Sequence, residues 1–396
     1  MEDKQNVTIL GSTGSVGVNT LKVIEANSDL YDVFALTAKS QVDLLFNQCV
    51  IFQPEFAVML DRAAAVKLKN NLFDIGSTTE VLDGLSGLIF VAEHEQSDCV
   101  MAAIVGGAGL VPTLRAAQTG KKVLLANKEA LVMAGKLFMQ FIEQSGAQVI
   151  PIDSEHNAIF QCLPMDDRGT FVNQTSQGVE KIVLTASGGP FLQTNLTELE
   201  HVTPEQACKH PNWSMGKKIS VDSSTMLNKG LELIEASFLF DLPAEKIEIL
   251  IHPQSVIHSM VYYMDGSVLA QLSNPDMRTP IAYGLSWPDR ISTGVKILDL
   301  CEIGQLNFQH ADEDRFPCLR LGRAVASCHD SAPIILNAAN EIAVAAFLER
   351  TISFTQIPVI IEEALNLQER KTINSIEEVL EEDSKVRLLT KKLVFG

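Results

Sequence analysis

The sequence predicts an α/β fold class: an N-terminal domain built on a parallel sheet, a central α+β domain and a small C-terminal helical domain. Three observations predict it. Apolar runs rich in β-branched residues alternate with helical patterns through the first 150 residues, turn and hairpin signals replace that alternation after Asp153, and helical spacing dominates from Glu313 onward. Alternation of the first kind is the mark of repeated βα units, whose strands pair in parallel because each crossover helix must pack back on the sheet.

Element by element, Val7–Leu10, Val33–Ala38, Phe56–Leu60, Val100–Val105, Lys122–Ala126 and Gln148–Ile152 read as buried strands. Residues 1–153 therefore form the first domain. Residues 154–286 form the second; there Asp166 to Gly178 is polar and turn-rich, and Val256–Met264 and Ser267–Ser273 are strands joined through Asp265-Gly266, a hairpin turn pair. Weak periodicity makes 287–312 a connecting segment. The stretches "NAANEIAVAAFLER" and "SIEEVLEEDSKVRLLTKKL" then place helices in 313–396. No internal repeat or low-complexity tract interrupts this order.

Composition narrows the function classes. A chain of 396 residues with 31 basic and 49 acidic residues carries a formal charge of −18, which repels nucleic acid and anionic membrane in the absence of a basic patch. No apolar stretch reaches spanning length, and the charged start, Met1 to Asn6, runs into a strand without a secretory apolar segment. Seven scattered cysteines with no Cys-x-x-Cys fit reduced thiols better than a disulfide framework or a zinc site. The expected compartment is the cytoplasm.

The first chemical motif is "TILGSTGSVG". Its glycines, at 11, 14 and 17, sit where the first strand turns into the first helix. Glycines there permit a tight turn and close backbone approach, and Ser12, Thr13 and Ser15 add hydroxyls near a helix N-terminus that stabilises a pyrophosphate. A Rossmann-like dinucleotide site is the reading; a plain glycine-bearing βα turn is the alternative. At the end of the second strand stands Lys39-Ser40-Gln41, with no acid before Asp43. A base there suits the 2′-phosphate of NADP better than the ribose of NAD, although a solvated surface lysine would look the same.

The second motif is "DSEHN". Asp153 and Glu155 follow an apolar strand and, if extended geometry persists through Ser154, point to one side. Convergent carboxylates repel unless a proton or cation sits between them, and hard oxygen donors without clustered Cys or His select Mg²⁺ or Mn²⁺. Downstream, "VDSSTMLNKGLELIEA" places Asn228, Lys229 and Glu232 on neighbouring surface of one helix, a grouping able to serve a metal and an anionic substrate. A capping Asp-Ser and an exposed Lys-Glu pair are the plainer alternatives. "TASGGPF" offers backbone amides and the Ser187 hydroxyl to a phosphate. "HPNWSMGKK" has neither helical nor strand character and reads as a mobile lid of about 207–216; His210 as a turn histidine and Trp213 as a packing anchor are the alternatives.

Together and in this order, "GSTGSVG", "LLANKEALV", "DSEHNAIFQ", "ASGGPF", "HPNWSMGKKISVDSSTMLNKGLE", "IHPQSVIHSMV", "NPDMRTPIA" and "NAANEIAVAAFL" resemble the blocks of the 1-deoxy-D-xylulose 5-phosphate reductoisomerase family, over almost the whole chain. The resemblance implies a homodimeric enzyme that uses NADPH and a divalent metal to rearrange and reduce 1-deoxy-D-xylulose 5-phosphate to 2-C-methyl-D-erythritol 4-phosphate. It assigns the metal to Asp153, Glu155 and Glu232. It places Ser187, Ser223, Asn228 and Lys229 on the phosphate, Lys128, Ser154, Glu155 and His210 around the carbon skeleton, and His210, Trp213 and Met215 in the lid. Thr13, Gly14, Ser15, Val16, Asn127, Glu129 and Gly216 fall at cofactor positions. Where the family has Gly, then Lys or Arg, then Asn, this chain has Lys39-Ser40-Gln41, so the base is displaced by one residue.

Two further readings stay open. An aldehyde or semialdehyde dehydrogenase would need a nucleophilic cysteine in an electropositive setting, and a nucleotide-sensing module would bind cofactor without metal-dependent turnover.

Overall fold

The structure, a computed structural model, describes residues 4–164, 177–213, 215–328 and 330–396; the turn-rich expectation for 166–178 lies almost entirely outside them. The strands are β1 Gln5–Leu10, β2 Tyr31–Ala38, β3 Phe56–Met59, β4 Glu80–Asp83, β5 Cys99–Ala102, β6 Lys122–Leu125, β7 Gln148–Pro151, β8 Val179–Ala186, β9 Ile247–Ile251, β10 Ile257–Tyr263, β11 Val268–Leu272 and β12 Gln309–His310. The helices begin with α1 Ser15–Ala26, α2 Val42–Phe52, α3 Arg62–Asp74, α4 Gly84–Glu93, α5 Leu110–Gln118, α6 Lys128–Ser145, α7 Ser154–Cys162 and α8 Pro204–Ala207. They continue with α9 Lys217–Ser224, α10 Leu227–Leu239, α11 Arg278–Ser286, α12 Leu300–Ile303, α13 Pro317–Ala326, α14 Ala332–Leu348, α15 Gln356–Leu367 and α16 Ile376–Phe395.

The chain forms two compact units. The first comprises residues 1–130, 138–157 and 276–296. Its parallel sheet has the order β4-β3-β2-β1-β5-β6-β7, so the strand order reverses at β1 and a crevice opens beyond the carboxyl ends of β1 and β5. The interior strands are apolar on both faces, as helices on both sides require: Val7, Ile9, Leu10, Leu36, Val58, Met59, Val100, Met101, Val123 and Leu124 are fully buried. β4, the sequence "EVLD", carries acids at both ends and lies at the sheet edge, and the apolar-run criterion did not predict it.

The second unit comprises 131–137, 158–275 and 297–396. Its sheet runs β11-β10-β8-β9-β12, with β8 and β9 parallel and the other pairs antiparallel. The hairpin at Asp265-Gly266 is present: β10 and β11 pair, Gly266 has φ +85°, and Asp265 accepts from the backbone N–H of Ser267 at 2.9 Å. A single helical core joins Leu227, Leu231 and Ile234 of α10 to Cys318 and Leu321 of α13, Ile335 and Leu336 of α14, Ile357 and Ile361 of α15 and Val386 of α16.

Compactness therefore groups residues differently from the expected boundaries at 286 and 312. Helices α9 and α10 bury their apolar faces against the C-terminal helices, which makes one packing unit of what sequence texture separates. Residues 276–296 return to the first unit because α11 lies on its sheet. A Cβ on Gly284 would meet Ile152 Cδ1 at 2.5 Å, and Lys122 Nζ donates to the Leu285 carbonyl at 2.7 Å.

Candidate active site

In the first unit the glycine loop occupies the crevice where the strand order reverses. Gly11 has φ +88°, and a Cβ there would stand 2.7 Å from the Ala103 carbonyl oxygen; a Cβ on Gly17 would stand 2.4 Å from the Gly11 oxygen and 2.5 Å from Ser12 Cα. Both glycines are demanded by the chain's own packing. Gly14 is not: its φ is −80°, and its Cβ would meet nothing nearer than the Gly11 oxygen at 3.4 Å. Gly14 is also the N-cap of α1 and supplies no side-chain cap, which leaves first-turn N–H groups to bind an anion. Thr13 and Val16 are half-buried beside it and Ser15 is exposed.

Ser12 does not offer its hydroxyl there. It is fully buried, and its Oγ donates at 2.7 Å to Gln48 Oε1 and lies 3.1 Å from the Thr37 carbonyl, so it ties β1 to β2 and α2. Lys39, Ser40 and Gln41 are exposed at the carboxyl end of β2, and among the described residues no ion pair holds Lys39. Asn127 is nearly used up by the fold. Its Oδ1 caps α6 by accepting from Ala130 N at 2.9 Å, and its Nδ2 donates to the carbonyls of Ile104 and Gly106. Its side chain thus fastens the loop after β5. That loop, "VGGAG" at 105–109, adjoins the same crevice; its glycine density was a signal that the β1 motif overshadowed. Glu129 is buried in the first turn of α6.

Also in the first unit, extended geometry does not persist through Ser154. β7 ends at Pro151 and α7 starts at Ser154, with Asn157 N donating to the Asp153 carbonyl at 2.8 Å. Asp153 and Glu155 meet because a helix turns, not because a strand alternates. Ser154 Oγ donates to Glu155 Oε2 at 2.6 Å. Lys128, almost wholly buried, forms an ion pair with Asp153. Burial by itself raises the Asp153 pKa, but the Lys128 ammonium, His156 and a hydrogen bond with Glu155 together hold its carboxyl well below the usual carboxylate range. It is an anion at neutral pH.

In the second unit, β8 delivers Ser187 to a loop in which Gly188 and Gly189 have φ +82° and +66°. A Cβ on Gly189 would stand 2.9 Å from the Ser223 carbonyl oxygen, so the loop seats directly on the end of α9, which carries Ser223. His210 bonds Ser187: Nε2 lies 2.9 Å from Oγ, while Nδ1 accepts from the backbone N–H groups of Asn212 at 3.2 Å and Trp213 at 2.9 Å. An acceptor Nδ1 leaves the proton of a neutral ring on Nε2, which then donates to Ser187. Gly189 N also donates to Ser187 Oγ, at 3.1 Å, so the serine's own proton is directed outward.

Residues 208–213 contain no helix or strand. Asn212 docks them by donating to the Pro253 carbonyl at 2.8 Å and Ser255 Oγ at 2.9 Å. The Trp213 ring is half-buried, 6.2 Å from the His258 ring and outside the helical core. Met215 is half-buried, and Gly216 is the N-cap of α9. At the start of α10, Asn228 donates to Glu232 Oε1 at 2.5 Å, and Lys229 forms an ion pair with the fully buried Glu232. This is no exposed surface pair. A buried ammonium beside a helix N-terminus favours an anion.

Four of the cysteines are poorly suited to act as nucleophiles. The seven are free thiols, and burial pushes Cys49, Cys99 and Cys318 up to about 12 and Cys162 up to about 11. The histidines of "IHPQSVIHSMV" are structural in their contacts: His252 Nδ1 bonds the Asn307 carbonyl and Nε2 accepts from Val256 and Ile257, while His258 bonds Ser273.

Comparison with known proteins shows the family. Residues 7–135 match the family model of 1-deoxy-D-xylulose 5-phosphate reductoisomerase, and 149–240 and 272–389 match models of C-terminal domains of the same enzyme. Reductoisomerases of Pseudomonas syringae pv. tomato and Ectopseudomonas mendocina are each 58% identical over 390 residues, 98% of this chain and 98% of theirs. A crystal structure of DOX-P reductoisomerase in complex with NADPH, fosmidomycin and magnesium is 46% identical with a TM-score of 0.94, covering 98% of each chain. The Zymomonas mobilis enzyme in complex with NADPH is 45% identical with a TM-score of 0.91 over the full length of both. The chain belongs to the 1-deoxy-D-xylulose 5-phosphate reductoisomerase family.

Proposed function

We propose that this protein rearranges 1-deoxy-D-xylulose 5-phosphate and reduces the product with NADPH, in a divalent-metal-dependent reaction, to 2-C-methyl-D-erythritol 4-phosphate. The observation that carries this reading is identity of 58% to reductoisomerases over 98% of both chains. The residues fit both groups. Gly14 leaves open the space a Cβ would fill beside uncapped N–H groups of α1, as a pyrophosphate needs, with Thr13, Ser15, Val16, Asn127, Glu129 and Gly216 as further contacts. Asp153, Glu155 and Glu232 supply hard, anionic oxygens suited to Mg²⁺ or Mn²⁺.

Bound there, a divalent cation supplies Lewis acidity toward the carbonyl and hydroxyl oxygens of the ketose, and NADPH supplies the hydride. The protein's own groups do the rest. Lys128, held by Asp153, adds positive charge where the skeleton's oxygens gain negative charge. Ser154 and Glu155, bonded to each other, orient the hydroxyls. Lys229, Asn228, Ser223 and Ser187 hold the phosphate, the last with its proton turned outward by His210 and Gly189. Residues 207–216, carrying His210, Trp213 and Met215, act as a lid that excludes water.

NADPH oxidation with the phosphorylated ketose, with and without chelator, is the test. Turnover that needs the metal and the 5-phosphate supports the assignment; cofactor binding without turnover would leave a nucleotide sensor. The raised pKa values of Cys49, Cys99, Cys162 and Cys318 disfavour these four as the nucleophile of a cysteine-dependent dehydrogenase, and the free thiols support a cytoplasmic setting. No helix among the described residues is long and apolar enough to cross a membrane. A homodimer is supported by edge strand β11, where Val268 and Leu269 are exposed next to Met264; an uncovered apolar edge invites pairing. Sedimentation of Leu269→Arg against the wild type checks it.

A further inference from the structure

We propose that helices α13 and α14 position the phosphate-binding turn through two contacts, with Asn340 and Gly322 as positioning residues. The inference rests on the reading that Ser223, Asn228 and Lys229 hold the substrate's phosphate. Those three residues flank one tight turn between α9 and α10, in which Met226 takes a left-handed conformation with φ +61°. A turn of this kind has little rigidity of its own, and a phosphate needs an ammonium, an amide and a hydroxyl held in mutual register.

The first contact is polar. Asp222, adjacent to Ser223, is 1% exposed, and its carboxylate accepts from Asn340 Nδ2 of α14 at 2.9 Å and pairs with Lys218 at 2.8 Å. The Asp222 carbonyl accepts from Thr225 Oγ1 at 3.2 Å, and Thr225 Oγ1 accepts from the N–H of Leu227, first residue of α10, at 3.3 Å. Two sets of hydrogen bonds, joined through the Asp222 residue itself, thus link α14 by way of the turn to the N-terminus of the helix that carries Asn228 and Lys229. The Lys218 ammonium compensates this buried carboxylate one residue from a phosphate ligand, where an uncompensated charge would repel the dianion.

The second contact is steric. α10 crosses α13 at Gly230, the residue after Lys229, and Gly322. A Cβ on Gly322 would stand 2.5 Å from Gly230 Cα and 3.0 Å from its carbonyl carbon. These are backbone atoms, so no flexible side chain can yield; the helix itself must move. The glycine pair sets the depth of α10, and hence of Lys229.

The test is a KM and kcat split with inorganic phosphate as a competitive probe of the phosphate pocket alone. Asn340→Leu, which keeps the branched shape and removes the donor, and Gly322→Ala are each expected to raise KM for the phosphorylated ketose about tenfold, the scale of one weakened buried polar contact. The Ki of inorganic phosphate should rise by the same factor, with kcat changed less than about threefold and NADPH affinity unchanged. A fall in kcat at unchanged KM and Ki, which partial unfolding would give, overturns the inference. Should Gly322→Ala fail to fold, Asn340→Leu decides alone. Ser223→Ala separates the two levels: if it leaves the phosphate Ki unchanged, the phosphate reading is wrong, whereas if it raises Ki while Asn340→Leu and Gly322→Ala do not, only the positioning role falls.

Discussion

Replacing Gly14 by alanine should damage cofactor binding and leave folding intact, and replacing Gly17 should do the reverse. For Gly14 the backbone angles, −80° and 170°, suit any residue, and the new methyl meets only the Gly11 oxygen at 3.4 Å. The remaining stability cost is that of alanine at an N-cap, at most about 1 kcal/mol. A methyl at that point lies where a pyrophosphate would approach the first-turn N–H groups of α1. Losing one charge-assisted hydrogen bond costs roughly 1.5–3 kcal/mol, or about one to two decades in Kd for NADPH. For Gly17 the methyl would lie 2.4 Å from the Gly11 oxygen and 2.5 Å from Ser12 Cα, an overlap with backbone worth about 1–3 kcal/mol of folding stability. Titration calorimetry with NADPH and thermal melting without it separate the two effects. If Gly14→Ala binds NADPH within twofold of the wild type, the gap left by the missing Cβ is not a pyrophosphate site.

Asp153→Asn, Glu155→Gln and Glu232→Gln should each abolish turnover at saturating Mg²⁺ with NADPH affinity retained; near-normal turnover in any one removes it from the metal site. Lys39→Glu should weaken NADPH by about one to two decades and NADH little, because the new acid repels only the 2′-phosphate. An unchanged NADPH-to-NADH preference would transfer that contact to Ser40 and Gln41. Trp213→Ala should raise KM and lower kcat with little change in melting temperature, since the ring lies outside the helical core; early unfolding with normal kinetics would make it a packing residue. Because burial raises the thiols of Cys49, Cys99 and Cys318 to about 12, thiolate is scarce at pH 8. Mass spectrometry after brief treatment of the folded protein with a thiol reagent should find these three unmodified.

The sequence by itself determined the parallel sheet, the hairpin at Asp265-Gly266, the C-terminal helices and the residue types of the site. These are local properties: β-branched apolar runs, turn pairs, helical periodicity and donor chemistry are all written within ten or so neighbouring residues. Even there, β9 was passed over although Ile247, Ile249 and Ile251 alternate as a strand should. The tertiary structure alone decided which glycine serves the fold and which leaves room for a ligand, because steric demand at Gly17 comes from Gly11 and Ser12 after the turn has closed. It decided that Ser12 and Asn127 spend their side chains on the fold, that a helix start brings Asp153 and Glu155 together, and that Lys229 is buried. It also decided where compact units begin and end. Asp222 and Asn340 lie 118 residues apart, and Gly230 touches Gly322 across a helix crossing. Such contacts depend on three-dimensional packing that no local pattern encodes.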